Sequence, residues 1–383
     1  MYDAIVVGAR CAGSPTAMLL ARKGYRVLLV DKSTFPSDIM STHYIHPPGV
    51  AHLRRWGLLD AVIASNCPPI FEVQLHIQGQ EPIVPPRPPN VDGEAAAAYC
   101  PRRTVLDKIL VDGAAAAGVE VREGFSVKEL LRDGDRVTGV RGTAKGGPEV
   151  TEEARIVIGA DGMHSTVARA VSPPEYNTKP SQGFGYYAYW SNVPLEHGRI
   201  YFGEDHGMLL FPTNDNLTCV AVGGPDANFH EFRKDIEGNY MRAIQSVPAV
   251  AELMKDATRQ ERFIGTNEQP NYFRRPYGPG WALVGDAGYH RDFVTGLGIT
   301  DAFRDAQFLA DALDDGLSGR RPLDEALAGY ERRRNEIAEP LYELTLQLLS
   351  GEGPPTPEQF MRFGIAMAQM MPEVSGAAEA AQA

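Results

Sequence analysis

Cysteine is scarce: Cys11, Cys67, Cys100 and Cys219 are the only four in 383 residues, with no Cys-x-x-Cys pair and no histidine cluster nearby. This excludes a disulfide framework and a thiolate metal site, and it points to reduced thiols in a cytoplasmic protein. Long hydrophobic runs are missing as well. No stretch approaches the ~18 to 20 apolar residues of a membrane span, so no integral membrane segment is expected. With a strand expected from residue 2, no signal peptide is expected either. Positive charge is in deficit, 37 Lys and Arg against 49 Asp and Glu for a formal net charge of -12. Nucleic acid is therefore excluded as a partner, because binding it requires a basic face. What remains is a globular composition, 43% hydrophobic and 22% charged, long enough for two cores.

The organising stretch is at the start. Residues 3–7 form a short apolar run of the kind buried on both faces of a parallel sheet, and they lead directly into Gly8-Ala9-Arg10-Cys11-Ala12-Gly13. This reads as a phosphate turn: Gly8 permits the sharp exit from the strand, Gly13 lets the following helix pack close, and the free amides of that helix face a pyrophosphate. A second strand over 26–30 ends in Asp31, followed by Lys32. At about 20 residues past the turn, an acid is placed to hydrogen-bond the ribose of an adenosine. Arg10 replaces the middle glycine of the fingerprint. It either limits the approach of the backbone to the ligand or offers its guanidinium to a phosphate oxygen.

A polar and aromatic loop with His43, Tyr44 and His46 then precedes a helix spaced by Val50, Leu53, Trp56 and Leu59. The loop is a candidate wall for a cofactor or substrate pocket, the alternative being exposed histidines without a role. Residues 68–98 are proline-rich and alternate through Val73, Leu75 and Ile77, which predicts a strand pair of a different sheet with a flexible turn at 85–89. The first sheet resumes with a helix from Arg103 to Gly118, a strand at 119–122 and a meander over 127–141. A strand over 154–158 then enters Gly159-Ala160-Asp161-Gly162, a second strand-to-turn-to-helix junction.

From about 172 to 265 the chain alternates aromatic residues, among them Tyr187, Tyr189, Tyr201 and Phe211. An antiparallel sheet is expected, one face covered and one open to a ligand, with the tyrosines either walling a pocket or packing across strands. A helix over 229–255, capped near Asp226 or Asn228, should follow. A third corner, Gly285-Asp286, leads to Thr295-Gly296-Leu297-Gly298-Ile299 and a helix with a stripe of Ala302, Ala306, Leu309, Ala310 and Leu313. Residues 323–350 predict one or two helices, kinked or broken at Pro340. A further helix over 357–371 carries Met361, Met367, Met370 and Met371, more readily core filling than a docking site for a partner or lipid. The tail after Ser375 is expected to fray.

The turn at 8–13 with Asp31, the Asp161-Gly162 junction and the Gly285-Asp286 turn leading to Gly296-Leu297-Gly298 stand in a telling order. That order and spacing resemble the FAD-dependent monooxygenase family typified by para-hydroxybenzoate hydroxylase, which has geranylgeranyl reductases and flavin halogenases as relatives. The resemblance covers residues 1–315. It implies an α/β fold: a Rossmann-like FAD-binding domain (1–67, 99–171 and 266–320), an inserted antiparallel-sheet substrate domain (68–98 and 172–265), and C-terminal helices and tail (321–383). It also implies FAD as cofactor, with Asp31 on the adenosine ribose, Arg103 at the phosphates or ribityl chain, Val127 at the adenine and Asp286 at the ribityl and pyrophosphate portion. Gly8, Arg10, Ala12, Gly13, Lys32 and Asp161 complete the set at the corners, and the amides of Gly296, Leu297, Gly298 and Ile299 would lie beneath the isoalloxazine. A helix N-terminus there stabilises charge on a reduced ring by roughly 0.3 to 2 kcal/mol.

Two departures narrow the subfamily. Related reductases and halogenases carry a tryptophan in a strand ending Phe-Pro or Ile-Pro, whereas residues 208–212 keep Phe211-Pro212 without it. Phe293-Val294 stand where the hydroxylases have a proline, beside the polar His290, Arg291 and Asp292. The function implied is reduction of bound FAD by NAD(P)H and reaction of the reduced ring with O2, one oxygen atom passing to an aromatic or polyketide-like molecule held against Tyr187, Tyr189, Tyr201 and Phe211. His43, Tyr44, His46 and His290 are candidates for a base. NAD(P)H is expected to bind transiently in a groove, since one dinucleotide fingerprint is present, and the chain is expected to be a monomer or homodimer. Alternatives are a flavin-dependent reductase or dehydrogenase, a halogenase, and a flavin redox-responsive binding module.

Overall fold

The computed structural model describes residues 1–77, 79–85, 97–203, 205–349, 356–359, 361–367 and 370. Apolar runs without polar alternation settle at the centre of a parallel sheet, where both faces are covered. Four such strands lie side by side: Trp281–Leu283, Glu149–Gly159, Tyr2–Val7 and Val27–Val30, with Glu120–Arg122 at the edge. The register brings their carboxyl ends level. Val7 pairs with both Val30 and Gly159, and Gly159 pairs with Leu283. The corners that follow these strands therefore emerge at one edge of one sheet. The long strand Glu149–Gly159 changes partner halfway along. Its first half is antiparallel to Arg136–Ala144, which continues the meander to Phe125–Asp133, and its second half is parallel to Tyr2–Val7.

Helices Gly13–Arg22, Arg103–Ala116 and Gly298–Leu317 cover one face of this sheet, in a core that includes Met18, Leu106, Phe303, Leu309 and Leu313. Helix Leu323–Leu349 packs along Gly298–Leu317 as one run that contains Pro340, the single helix of the two alternatives that the sequence left open. Its buried Arg334 donates to the Gly288 and Arg274 carbonyls and to the Tyr176 hydroxyl, and Tyr330 donates to the Leu283 carbonyl. The helix thereby fastens the third corner from behind. Among the described residues no helix is long and apolar enough to cross a membrane.

The second lobe is built on a mostly antiparallel sheet in the order Thr258–Arg259, Gly183–Ser191, Thr218–Pro225, Gly207–Pro212, Gly198–Phe202 and Val73–Ile77. Val73–Ile77 joins it parallel to Gly198–Phe202, whereas Pro69–Ile70 pairs with Ala98–Tyr99 in a separate two-stranded sheet. Side chains alternate between faces of a strand. Phe184, Tyr186, Ala188 and Trp190 accordingly pack against helices, while Tyr187 and Tyr189 turn with Phe211 and Cys219 toward the first lobe. The covering segment is not the single helix expected over 229–255. It divides into Phe229–Phe232, Ile236–Ser246 and Pro248–Met254, the second capped by Asp235 and the third begun by Pro248. Asp226 receives Asn267 instead of capping a helix, and Asn228 makes no side-chain cap. A third sheet that the sequence did not suggest, Glu175–Lys179, Asn271–Arg274 and Tyr289–His290, links the lobes. The turn expected at 85–89 lies largely outside the described residues, as do Met371 and the tail. Met367 and Met370 are buried with Leu297 and Leu341, which favours core filling, whereas Met361 is exposed.

Candidate cofactor and substrate site

A cavity of about 830 Å3 opens where the level strand ends meet the second lobe. Its wall runs from Gly8, Arg10 and Ala12 past Asp31, Lys32, Val127 and Arg103 to Asp161, Gly285 and Asp286, then to Gly298 and Ile299, and on to the aromatic sheet. Ligand sites of open parallel sheets lie beyond the carboxyl ends of the strands, at the point where the strand order reverses. Here Tyr2–Val7 leads on one side to Val27–Val30 and on the other to Glu149–Gly159, which is that point.

Close approach makes the turn glycine obligatory. Gly8 has φ +104°, and a Cβ there would lie 2.4 Å from the Ala160 carbonyl oxygen, so the first and second corners touch. Gly285, at φ +62°, would bring a Cβ to 2.7 Å from that of Ala12, so the third corner touches the first. The Asp31 carboxylate accepts from the Ala9 amide at 2.7 Å and the Ser33 amide at 2.7 Å. Each oxygen is left with a further lone pair for a hydroxyl at the cavity wall. Asp286 is exposed to the cavity.

Two arginines of the wall, Arg10 and Arg103, share one counter-ion. Arg103 meets the fully buried Asp107 through three hydrogen bonds of 2.9 to 3.1 Å, and Arg10 pairs with the same carboxylate. Two cations and one anion leave a surplus positive charge beside the phosphate turn. With the open amides of Gly298 and Ile299, this edge suits an elongated, doubly anionic ligand ending in a flat ring. Asp107 was missed in the sequence; its i,i+4 spacing from Arg103 was the available signal.

Several expected residues lie elsewhere. Asp161 reaches the cavity, but its carboxylate accepts from the Ser165 hydroxyl and, at 2.6 Å, from the Thr166 amide, at the start of helix Thr166–Val171 whose cap is Ser165. Gly13 is packed against Gly8, Gly296 closes the turn Phe293–Thr295, and Leu297 is buried among Leu341, Met367 and Met370. None of these three lies on the cavity wall. Of the expected substrate wall, Tyr187, Tyr201 and Phe211 are present, joined by Ile200, Leu209 and Val222. Tyr189 is not; its hydroxyl meets His43 Nε2 at 2.7 Å in the interior behind them.

The candidate bases separate in the same way. His43, wholly buried at φ +63°, is pushed down to about 3 by burial, with the positive Arg103 adding to the effect. His46 donates Nε2–H to the Thr295 carbonyl at 2.9 Å, and Tyr44 stacks on Phe211. All three stand behind the wall. His290 is on it. Its Nδ1 bonds to the Pro270 carbonyl, which only accepts, so a neutral ring carries its proton there and leaves Nε2 as a lone pair. The neighbouring Arg291 turns away to Asp301 at 2.6 Å, and Asp292 caps the Val294 amide. Burial raises the Asp292 carboxyl to about 6.

A nucleotide edge and an apolar lobe share one cavity, an arrangement that suits a protein of the FAD-binding class. The comparisons agree: the family described as FAD binding domain matches residues 1–345, and the chain belongs to it. Squalene epoxidase 3 of Arabidopsis thaliana is 23% identical over 348 residues, covering 88% of this chain and 65% of the epoxidase. The chain thus spans under two thirds of that relative. A digeranylgeranylglycerophospholipid reductase of Methanothrix thermoacetophila is 25% identical over 350 residues, covering 87% of this chain and 83% of the reductase. Among solved structures, a myxobacterial chondrochloren halogenase shares the fold at TM-score 0.84 and 24% identity, over 98% of this chain and 90% of the other. Pseudomonas aeruginosa PqsL, described as a probable FAD-dependent monooxygenase, gives 0.76 and 23%, over 97% and 99%. The names of these proteins describe different reactions, epoxidation, reduction, halogenation and monooxygenation.

Proposed function

We propose that this chain is a FAD-dependent monooxygenase that takes reducing equivalents from NAD(P)H and oxygenates an aromatic or polyketide-like small molecule. The observation that carries the reading is one continuous cavity with a nucleotide edge at one end and Tyr187, Ile200, Tyr201, Leu209 and Phe211 at the other. The residues present fit FAD: Asp31 would hold the adenosine ribose, Val127 the adenine, the Gly8 turn and the Arg10 and Arg103 pair the pyrophosphate, and Asp286 the ribityl chain. The amides of Gly298 and Ile299, at the start of their helix, would favour negative charge on the bound ring. When bound, FAD supplies electron transfer and the activation of O2. On the same reading the FAD-binding lobe comprises 1–67, 99–171 and 266–320, and the substrate lobe 68–98 and 172–265.

The chain's own part is to orient the substrate, keep water from the ring and move one proton. The apolar wall performs the first two. His290 Nε2 accepts a proton from a substrate hydroxyl, being the one of the four candidates on the wall. The fold of the halogenase and the name of the reductase supply the second reading, halogenation or C–C bond reduction. The strand Gly207–Pro212 has no tryptophan, which distinguishes it from the pattern expected of those groups.

The test is to purify the protein, record its visible flavin spectrum, and screen aromatic compounds for acceleration of NAD(P)H oxidation with O2 uptake. A product heavier by one oxygen supports the proposal. Turnover that proceeds anaerobically, or that requires halide, overturns it in favour of the second reading.

A further inference from the structure

Arg10 occupies the position where the phosphate fingerprint has a glycine, and its side chain leaves the turn. The guanidinium pairs with Asp107, donates to Ser37 Oγ at 2.6 Å and to the Ser37 carbonyl at 3.4 Å, and lies 5.3 Å from the centre of the Phe35 ring. Ser37 belongs to the segment 33–42, which contributes Ser33, Ile39, Met40, Ser41 and Thr42 to the cavity wall.

The ends of that segment are secured independently. At its start the Gly124 amide donates to the Ser33 carbonyl at 2.9 Å and the Phe35 amide donates to Glu123 at 2.8 Å. At its finish the His43 amide donates to Ser41 Oγ at 3.0 Å. Between them the loop is held by the Arg10 fork, by Met40 packed against the cluster of Tyr44, Tyr187 and Phe211, and by a long contact of 3.5 Å from the Tyr187 hydroxyl to the Ile39 carbonyl. Ile39 is 42% exposed, so apolar burial adds little to its anchorage.

We propose that Arg10 is a positioning residue: it fastens the substrate-side wall at 33–42 to the cofactor's phosphate turn, so that the two halves of the cavity are set by one side chain. This rests on the reading that FAD occupies the turn. Only a planar fork suits the task, because it reaches a carboxylate and a hydroxyl at once, whereas a lysine is a point charge.

Hydrogen exchange on the flavin-loaded protein tests it. In Arg10→Ala the amides of residues 37–41 should exchange at least about tenfold faster, with those of strand Gly183–Ser191 unchanged. Arg10→Lys, which keeps the charge beside Asp107, should recover thermal stability without recovering loop protection. Ser37→Ala, at the far end of the fork, should loosen the same amides with FAD affinity within about twofold of the wild type, and it decides the matter alone should Arg10→Ala not fold. Wild-type exchange at 37–41 in the loaded variants overturns the inference and leaves the proposed function standing. A wild-type protein that takes up no flavin defeats the proposed function itself.

Discussion

Gly8 and Gly162 share a left-handed backbone, at φ +104° and +79°, yet their surroundings differ. A Cβ on Gly8 meets the Ala160 backbone, whereas one on Gly162 meets nothing within 4 Å. Gly162→Ala should therefore cost about 1 kcal/mol, the backbone penalty alone, and Gly8→Ala about 3 kcal/mol with loss of flavin, as read by urea unfolding and the visible spectrum. His52 is buried with Nδ1 unpartnered, and burial pushes it down to about 3. The unfolded chain gains a proton below about pH 6.5 that the folded chain refuses, so this side chain makes stability fall as pH drops from 6.5 toward 3. Lowering the pH from 7.5 to 5.5 should accordingly destabilise the wild type more than His52→Leu, by about 1.4 kcal/mol at pH 5.5. At the cavity, His290→Phe should retain the flavin spectrum and lose on the order of 100-fold in substrate-stimulated turnover if Nε2 carries the proton. The sequence offered four possible bases with equal chemistry. Which one faces the ligand depends on side-chain direction in a loop, and no local spacing encodes that.

Between elements, the decisive link is a buried charge network. Asp301, in the first turn of Gly298–Leu317, accepts from Arg291 at 2.6 Å and from Arg304 at 2.8 Å, and Arg304 also meets Asp305 at 2.7 Å. It fixes the loop after the third corner to the helix whose amides face the cavity. Asp301→Asn leaves two buried arginines short of a counter-charge, and the expected loss is about 3 to 5 kcal/mol in urea unfolding. The segments that packed wholly by pattern were readable: the glycine-ended strands, the helix from Arg103 and the alternating aromatic strands appear where the sequence placed them. The break of the 229–255 segment was not. Phe229, Phe232, Tyr240, Ile244, Val250 and Met254 all face the same sheet, so apolar periodicity continues across the breaks and hides them.

In the molecule as a whole, the ligand should act as a structural component. FAD at one hundred times its dissociation constant adds about 2.7 kcal/mol to the folded state, and for 383 residues this is a rise of about 3 °C in Tm, growing with FAD concentration in a thermal melt. A melt indifferent to FAD would contradict the cofactor site. The sequence by itself determined the class of fold and the cofactor edge, because a glycine corner behind an apolar strand is a local pattern dictated by backbone sterics. Only the tertiary structure decided which of those residues line the cavity. Asp107, ninety-seven residues from Arg10, supplies its counter-charge, Asp161 turns to the start of the helix that follows it, and Tyr189 and His43 pair out of reach. Those outcomes are set by which buried polar group finds a partner, and the partners come together only when distant segments pack.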